Sequence, residues 1–312
     1  MNPDLDAPVK YFGGKRRIAA YTWRRFGQPR VYIEPFCGMS SVLLRRKKDS
    51  VPEGTIRETI NDRDAFVANF LRSIKLAPEF VLENATEPPS EIEIRARWKA
   101  VASHRGRLRH SLLEPQWCDP IFGGWFLYLY SNAIRPRTGS DAPKSAKPSL
   151  HQDGILSKVQ RSEALTRLKE LRDRLQDVRI CCGDYRNVMT DAELDAESVA
   201  IFVDPPYKKA AGMYDKGGGK GSITVKLDYD ELVDRCIQLG ENKKNRIALA
   251  GYKGDYKLPK SWYEFLWDET PGGKETLWMS PACTHPRVSP DWAVSKNPRP
   301  DGIESVISIM TK

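Results

Sequence analysis

The chain has 312 residues, a formal net charge of +9 at pH 7, 40% hydrophobic residues and 29% charged residues. This composition indicates a folded globular protein and excludes a largely disordered one. The positive charge favours association with a polyanion and makes nucleic acid the natural candidate partner, although a basic enzyme of another kind would carry the same charge.

The cysteines and the apolar segments bear on where the protein works. No two of the six cysteines have the spacing of a zinc knuckle or a redox motif. The first residues do not read as a signal peptide, and no run of about 18 or more apolar residues occurs. We therefore expect a cytoplasmic protein with reduced thiols and no membrane partner.

Short apolar runs alternate with helical patterns along the chain. In chain order, the predicted elements are a strand at 31–33, a helix at 40–48, a strand at 56–60, helices at 65–75 and 162–176, a strand at 199–203, a helix at 229–239 and a strand at 247–250. This alternation predicts βαβ units and an α/β fold around a parallel sheet. Such sheets bind ligands beyond the carboxyl ends of their strands, where the strand order switches.

Residues 78–160 interrupt this alternation. They include a basic cluster at 103–110, an aromatic stretch at 117–132 and a proline-rich basic stretch at 134–150. We expect the aromatic side chains to pack in a core and residues 134–150 to form a mobile loop. The predicted organisation is a catalytic domain at 1–77 and 161–290, an insert at 78–160 and a C-terminal tail at 291–312.

The strongest chemical signal is Asp204-Pro205-Pro206-Tyr207, directly after the apolar run 199–203. An exocyclic amine is a poor nucleophile because its lone pair is delocalised into the ring, so fixed acceptors must draw its hydrogens out of plane. Asp204 supplies a carboxylate and Pro205 a carbonyl, in a turn stiffened by its two prolines. Tyr207 offers an aromatic face to a base taken out of its stack. An ordinary proline turn after a strand is the alternative.

Two further turns follow predicted strands. The turn at 34–40 contains small residues that let a cofactor approach the backbone, and Ser40 or Ser41 is a candidate N-cap for the helix that follows. Asp62 closes the strand at 56–60, where an acid accepts hydrogen bonds from a ribose in nucleotide-binding sheets. A tight strand-to-helix turn and a helix N-cap remain open as simpler explanations.

Seven segments in this order are similar to those of one enzyme family. The segments are 10–15 (Lys-Tyr-Phe-Gly-Gly-Lys), 34–38, Asn61-Asp62, Gly183-Asp184-Tyr185, 204–207, 247–256 and 275–283. The chain thereby resembles, over about residues 8–285, the Dam-like (alpha-class) family of DNA adenine N6-methyltransferases in its phage-type branch. In that family the first five segments correspond, in order, to the opening motif, the first cofactor motif, the ribose-binding acid, the adenine-side acid and the catalytic tetrapeptide. The last two segments correspond to the closing motifs.

The resemblance implies a Rossmann-like S-adenosylmethionine-dependent methyltransferase fold, with a mainly helical and loop target-recognition insert. It further implies direct in-line methyl transfer from S-adenosylmethionine to the N6 amine of a flipped-out adenine in double-stranded DNA, with no covalent enzyme intermediate and no metal. Cys37 is therefore not expected to act as a nucleophile. A cognate restriction or defence nuclease is an open partner, and the oligomeric state is also left open.

Roles for individual residues also come from the resemblance. Tyr11 and Lys15 would hold the methionyl carboxylate, and an ammonium suits that task as a point charge. Phe36 and the turn 34–38 would line the methionine portion. Met39 and Ser40 stand where relatives often have glycines, and we expect Met39 to narrow the turn. The residues implied for cofactor binding are Tyr11, Phe12, Gly13, Lys15, Glu34, Pro35, Phe36, Cys37, Gly38, Asp62 (ribose), Asp184 (adenine amine) and Tyr185.

DNA contacts are expected in the insert, because rotating a nucleotide out of the duplex costs on the order of a few kcal/mol that such contacts must offset. Arg135 and Arg137 would read base edges or clamp phosphates, and Lys144 and Lys147 would contact phosphates. A solvated loop with incidental charge is the alternative.

Three other functions remain open. Cytosine also has an exocyclic amine, so the tetrapeptide would serve an N4-cytosine DNA methyltransferase equally well. RNA and protein methyltransferases share the fold, although an Asn often leads their tetrapeptide. A catalytically silent DNA-binding subunit is the third alternative, against which the intact Lys15, Asp204 and Tyr207 speak.

Overall fold

The computed structural model describes residues 5–11, 14–46, 56–86, 88–133, 154–156, 160–196, 198–208, 227–270 and 273–283. Several sequence predictions lie outside these residues. They are Phe12 and Gly13 of the opening motif, the loop 134–150 with Arg135, Arg137, Lys144 and Lys147, and the tail 291–312.

A seven-stranded, mostly parallel sheet forms the centre of an α/β fold within the described residues. Its strands are β1 Val31–Glu34, β2 Arg57–Asp62, β3 Val178–Cys182, β4 Val199–Val203, β5 Asn245–Tyr252, β6 Tyr263–Thr270 and β7 Gly273–Met279. The order across the sheet is β3-β2-β1-β4-β5-β7-β6. Strands β1 to β5 pair in parallel, whereas β7 runs antiparallel to both β5 and β6. This architecture is compatible with a Rossmann-like fold.

The four predicted strands are confirmed as β1, β2, β4 and β5. All five residues of β4 are buried, as expected for an apolar strand covered on both faces of a parallel sheet. The chain moves outward from β1 to β2 and β3 and then returns to place β4 on the other side of β1. The carboxyl ends of β1 and β4 therefore flank the switch in strand order, where open α/β sheets bind ligands.

Seven helices occur in the described part of the chain. They are α1 Arg16–Phe26, α2 Ala65–Leu76, α3 Pro78–Glu83, α4 Glu91–Ser111, α5 Pro120–Asn132, α6 Arg161–Leu175 and α7 Tyr229–Gly240. The predicted helices at 65–75, 162–176 and 229–239 are confirmed as α2, α6 and α7. Helix α2 begins where the Asp64 carboxylate accepts the Phe66 N–H, which is a standard N-cap.

The predicted helix at 40–48 is wrong over its described part. Only a short 3-10 turn, Leu43–Arg45, follows the turn at 34–40, and its N-cap residue Val42 makes no side-chain cap bond. Ser40 has a φ of 51° and so cannot begin a right-handed helix. The Leu43 N–H donates to the Glu34 carboxylate at 2.7 Å, so that bond ties the segment back to β1.

Helices α3 to α5 pack on the α2 and α6 side of the sheet and share its hydrophobic core. Residues 126–130 of α5 are buried, which confirms that the aromatic stretch packs as core. Helix α5 is tied to α2 by Asn69, whose amide donates to the Asp119 carbonyl at 2.8 Å and whose amide oxygen accepts the Asp119 N–H at 2.7 Å. Across the described ranges, no helix combines the length and the apolar character that crossing a bilayer requires.

Candidate active site

The turns that follow β1, β2 and β3 are joined into one surface by Asn61. Its side-chain amide donates to the Pro35 carbonyl at 2.9 Å and to the Gly183 carbonyl at 3.1 Å. The Asn61 carbonyl in turn accepts the Cys37 N–H at 2.9 Å. Asn61 is 1% exposed, so these bonds form away from water and hold the three turns in fixed relative positions.

Asp62 fixes the shape of the turn after β1. One carboxylate oxygen accepts the Gly38 N–H at 2.9 Å, and the other accepts the Asp64 N–H at 2.8 Å. Burial raises the pKa of Asp62 to about 7, against the opposing effect of these backbone bonds. Gly38 has a φ of +46°, and a Cβ there would lie 3.2 Å from the Tyr11 ring. The turn therefore requires glycine at this position.

An aromatic pair lines the same edge of the sheet. The Phe36 and Tyr185 rings are stacked, with centroids 5.3 Å apart. Beside them, the Asp184 carboxylate accepts the backbone N–H of Arg186 at 3.0 Å and pairs with its guanidinium at 2.8 Å. These bonds with Arg186 lower the pKa of Asp184. Four residues implied for cofactor binding, Phe36, Asp62, Asp184 and Tyr185, thus lie at the carboxyl ends of three adjacent strands.

Three members of the turn at 34–40 face inward. The Glu34 carboxylate, 2% exposed, accepts hydrogen bonds from the Tyr32 hydroxyl at 2.5 Å and from the Leu43 N–H. Burial raises the pKa of Glu34 to about 7. Cys37 is a buried free thiol whose pKa is raised by burial. Met39, which we expected to narrow the turn, is buried in the hydrophobic core.

The tetrapeptide 204–207 and the segment 10–15 meet at one ion pair. Asp204 follows β4 directly, and its Oδ2 lies 3.0 Å from Lys15 Nζ. The two side chains are 18% and 5% exposed, so the pair is largely shielded from water. Burial raises the pKa of Asp204, and the Lys15 ammonium opposes that rise. Residues far apart in the sequence are thereby brought together at the switch in strand order.

Tyr207 is held on several sides. Its hydroxyl donates to Glu275 Oε2 at 3.4 Å, and its ring packs edge-on against Tyr252 with centroids 4.7 Å apart. Lys15 Nζ lies 5.1 Å from the centre of the Tyr207 ring. The preceding turn is fixed by the Tyr229 hydroxyl, which donates to the Pro206 carbonyl at 2.5 Å. Pro205 itself is buried.

Four residues of this site carried no assigned role from the sequence. They are Asn61, Glu275, Tyr229 and Tyr130. The Tyr130 ring stacks on the Tyr11 ring, with centroids 5.5 Å apart. Glu275 had two signals in the sequence, since it begins the matched segment 275–283 and stands two residues before the apolar run Leu277-Trp278-Met279. Asn61 and Tyr229 donate hydrogen bonds to backbone carbonyls. Such contacts cannot be predicted from the sequence, because every residue has a carbonyl.

The residues present are compatible with a nucleoside cofactor. The stacked Phe36 and Tyr185 rings offer apolar surface, and the cradle at Gly38 allows close approach to the backbone. Asp62 uses each carboxylate oxygen for one N–H, and a carboxylate oxygen can accept a further donor. Among the described residues, no group of three or more His, Cys, Asp or Glu side chains is arranged to hold a metal ion.

Comparisons with known proteins add no family to this picture. No protein-family model matches the chain, and a search of curated proteins gives no significant match.

Proposed function

We propose that this chain is a site-specific DNA methyltransferase that transfers the methyl group of S-adenosylmethionine to the N6 amine of adenine in double-stranded DNA. One observation carries the proposal. The Asp204 carboxylate and the proline turn after it lie at the carboxyl end of β4, beside the turns that follow β1 to β3, and Asp204 Oδ2 is 3.0 Å from Lys15 Nζ. An acceptor pair for an amine thus adjoins a surface that suits a nucleoside cofactor.

When bound, S-adenosylmethionine supplies an electrophilic methyl group on a positively charged sulfur. Phe36, the turn at Gly38, Asp62 and Asp184 would hold its methionine, ribose and adenine portions, and Tyr185 would add to the apolar wall. Tyr11 and Lys15 would hold its carboxylate. Lys15 already lies 3.0 Å from Asp204 and 4.0 Å from Glu275, and the three N–H donors of an ammonium allow it to meet the cofactor carboxylate as a third acid.

The proline turn would orient the amine for attack. Asp204 accepts one amine hydrogen, and the Pro205 carbonyl accepts the other, which localises the nitrogen lone pair. The Pro206 carbonyl is engaged by Tyr229, so the turn cannot rotate easily between alternative positions. The Tyr207 ring, packed against Tyr252, would stack on the extruded base. Acceptors fixed in advance need no reorganisation during the reaction, which is the source of their catalytic effect.

The charge distribution favours a polyanionic partner, and double-stranded DNA is the one that we propose. Helix α4 carries Lys99 and Arg107 on its exposed face. Its Arg105 lies 3.4 Å from Asp64, at the end of β2 where the candidate site begins. We further propose that residues 78–160 form the target-recognition insert of a catalytic domain at 1–77 and 161–290. The contacts expected from Arg135, Arg137, Lys144 and Lys147 stay a prediction.

Nucleoside analysis by mass spectrometry tests the proposed function. The full chain is incubated with S-adenosylmethionine and genomic DNA that lacks adenine methylation, and the digested DNA is compared with that from a reaction without enzyme. We expect N6-methyladenine. N4-methylcytosine in its place would change the target base, and preferential modification of RNA in a competition reaction would change the substrate. Absence of methylated nucleosides together with no cofactor binding in calorimetry would favour the catalytically silent DNA-binding subunit.

A further inference from the structure

Glu275 lies at the edge of the sheet where the candidate site is formed. It is near the beginning of β7, opposite Tyr252 near the end of β5. Because β7 runs antiparallel to β5, its first residues lie at the same edge as the last residues of the parallel strands. A side chain near the beginning of β7 can therefore reach the tetrapeptide that follows β4.

The Glu275 carboxylate contacts two groups of the site with one oxygen. Its Oε2 accepts the Tyr207 hydroxyl at 3.4 Å and lies 4.0 Å from Lys15 Nζ. The side chain is 13% exposed, which makes the carboxylate costly to bury unless it is satisfied. Lys15 is also 3.0 Å from Asp204, so two acids share one ammonium.

The hairpin that carries Glu275 is anchored to the helix that follows the opening motif. Arg17 of α1 pairs with Asp268 of β6 at 2.7 Å, and the Tyr21 and Phe265 rings stack with centroids 4.0 Å apart. Asp268 is the register partner of Glu275 across β6 and β7. Lys15 immediately precedes α1. The contact between α1 and the β6–β7 hairpin therefore fixes the positions of both Lys15 and Glu275.

We propose that Glu275 is a positioning residue for Tyr207 in the methyl-transfer reaction. Its carboxylate fixes the hydroxyl of Tyr207 and thereby the direction in which the ring meets the base. This inference rests on the proposed function. The 3.4 Å bond is long, and such bonds tighten when a substrate completes the site. Removal of Glu275 would leave Asp204 as the remaining carboxylate that interacts with the Tyr207 hydroxyl, and it would fix the direction of the ring less tightly.

Steady-state kinetics of four variants test this role. Glu275→Ala removes the acceptor, Glu275→Gln keeps an acceptor oxygen without the charge, Tyr207→Phe keeps the ring without the hydroxyl, and a double variant combines Glu275→Ala with Tyr207→Phe. The matched control is Glu264→Gln, an acid of the same hairpin with a 44% exposed side chain that pairs with Lys253. Methyl transfer to DNA is measured together with the denaturant midpoint of each variant.

We expect Glu275→Ala to lower kcat by roughly tenfold or more. The KM for S-adenosylmethionine should change much less, and Glu275→Gln should recover part of the loss. In the Tyr207→Phe background, Glu275→Ala should cause a loss of kcat at least roughly threefold smaller than in the wild type, because contacting residues are energetically coupled. The fall in the denaturant midpoint should be smaller as well. Glu264→Gln should behave as the wild type.

Equal kcat values for Glu275→Ala and the wild type would overturn the inference, and so would an effect of Glu275→Ala that is unchanged in the Tyr207→Phe background. A rise in the KM for S-adenosylmethionine with kcat intact would also overturn it, because the acid would then serve the cofactor. These outcomes presuppose an active wild type. A wild-type chain that methylates no DNA would overturn the proposed function and this inference together.

Discussion

The Lys15 ammonium lies between two acids of the site, Asp204 and Glu275. It lies 3.0 Å from the acid that would accept the amine hydrogen, Asp204, and 4.0 Å from Glu275, which holds the Tyr207 hydroxyl. A buried charge of this kind is tolerated when it is paired, and removing one partner leaves the other uncompensated. Because two acids flank Lys15, it keeps one carboxylate partner when either Asp204 or Glu275 alone is replaced.

Asp62→Asn tests the acid that fixes the turn after β1. An Asn offers one acceptor oxygen, so its amide nitrogen would face either the Gly38 or the Asp64 N–H. At about pH 4, where the raised pKa of Asp62 costs the native state little, we expect the free energy of unfolding to fall by about 1–3 kcal/mol. We also expect weaker binding of S-adenosylhomocysteine in calorimetry.

The neighbouring acid gives the control for this substitution. Asp64→Asn keeps a good N-cap for α2, so unfolding and cofactor-analogue binding should stay close to the wild type. Identical losses in the two variants would contradict the role assigned to the Asp62 carboxylate.

Glu34→Gln tests the buried acid at the end of β1 through the pH dependence of stability. Burial raises the native pKa of Glu34 to about 7 from an ordinary value of 4.5. The native state therefore keeps the proton where the unfolded state has lost it, and stability falls as pH rises through this range. A Gln does not titrate and still accepts from Tyr32 and Leu43.

Urea unfolding of both proteins, at about pH 5 and about pH 8, measures this effect. The stability of Glu34→Gln relative to the wild type should rise by about 2 kcal/mol between these pH values. A difference between the two proteins that does not vary with pH would show that this carboxyl does not titrate as proposed.

At the scale of elements, the sequence predicts four of the five parallel strands because their apolar or β-branched residues cluster in short runs that end in polar turns. It does not predict β3, whose charged Arg179 interrupts the run, or β6 and β7, which carry charged residues on exposed faces. The predicted helix at 40–48 fails because Gly38 and Ser40 both adopt positive φ, which apolar periodicity does not reveal. The position of Glu275 in the site depends on the register of β7 and was therefore not predictable.

Gly124→Ala tests the packing of α5 on α3. A Cβ at this position would lie 2.6 Å from the Val81 carbonyl oxygen and 2.5 Å from the Asn84 Cβ, and a backbone atom cannot move aside cheaply. We expect the free energy of unfolding to fall by about 1–3 kcal/mol, as in other overpacked interfaces.

Gly106→Ala in α4 is the matched control, because nothing lies within 4 Å of the added Cβ. Ala has the higher helix propensity, so this variant should gain up to about 1 kcal/mol. Urea unfolding of both variants gives the comparison. Stabilisation by both substitutions would mean that α5 is not packed as closely as described.

At the scale of the whole molecule, the charge of +9 and the basic face of α4 make salt dependence a test of DNA binding. Fluorescence anisotropy with a duplex should show affinity falling by roughly 100-fold or more between about 50 and 200 mM salt. Lys99→Gln and Arg107→Gln should each reduce the slope of log affinity against log salt by about 1.

Arg167→Gln is the control for these charge changes. Arg167 lies on α6 and already pairs with Glu163 on the surface, so its loss should leave the slope nearly unchanged. Equal slopes for all three variants and the wild type would show that Lys99 and Arg107 of α4 do not contact DNA.

The most direct test of the account is methyl transfer by Asp204→Ala, compared with the wild type and with Asp191→Ala. Asp191 is a control acid with a 92% exposed side chain, paired with Arg235. Transfer of labelled methyl groups from S-adenosylmethionine to DNA should fall at least roughly 100-fold in Asp204→Ala, the range found when a fixed transition-state hydrogen-bonding group is removed. Calorimetry should still detect S-adenosylhomocysteine binding to Asp204→Ala, and Asp191→Ala should retain wild-type transfer. Undiminished methylation by Asp204→Ala would contradict the role of the β4 turn as the acceptor of the amine.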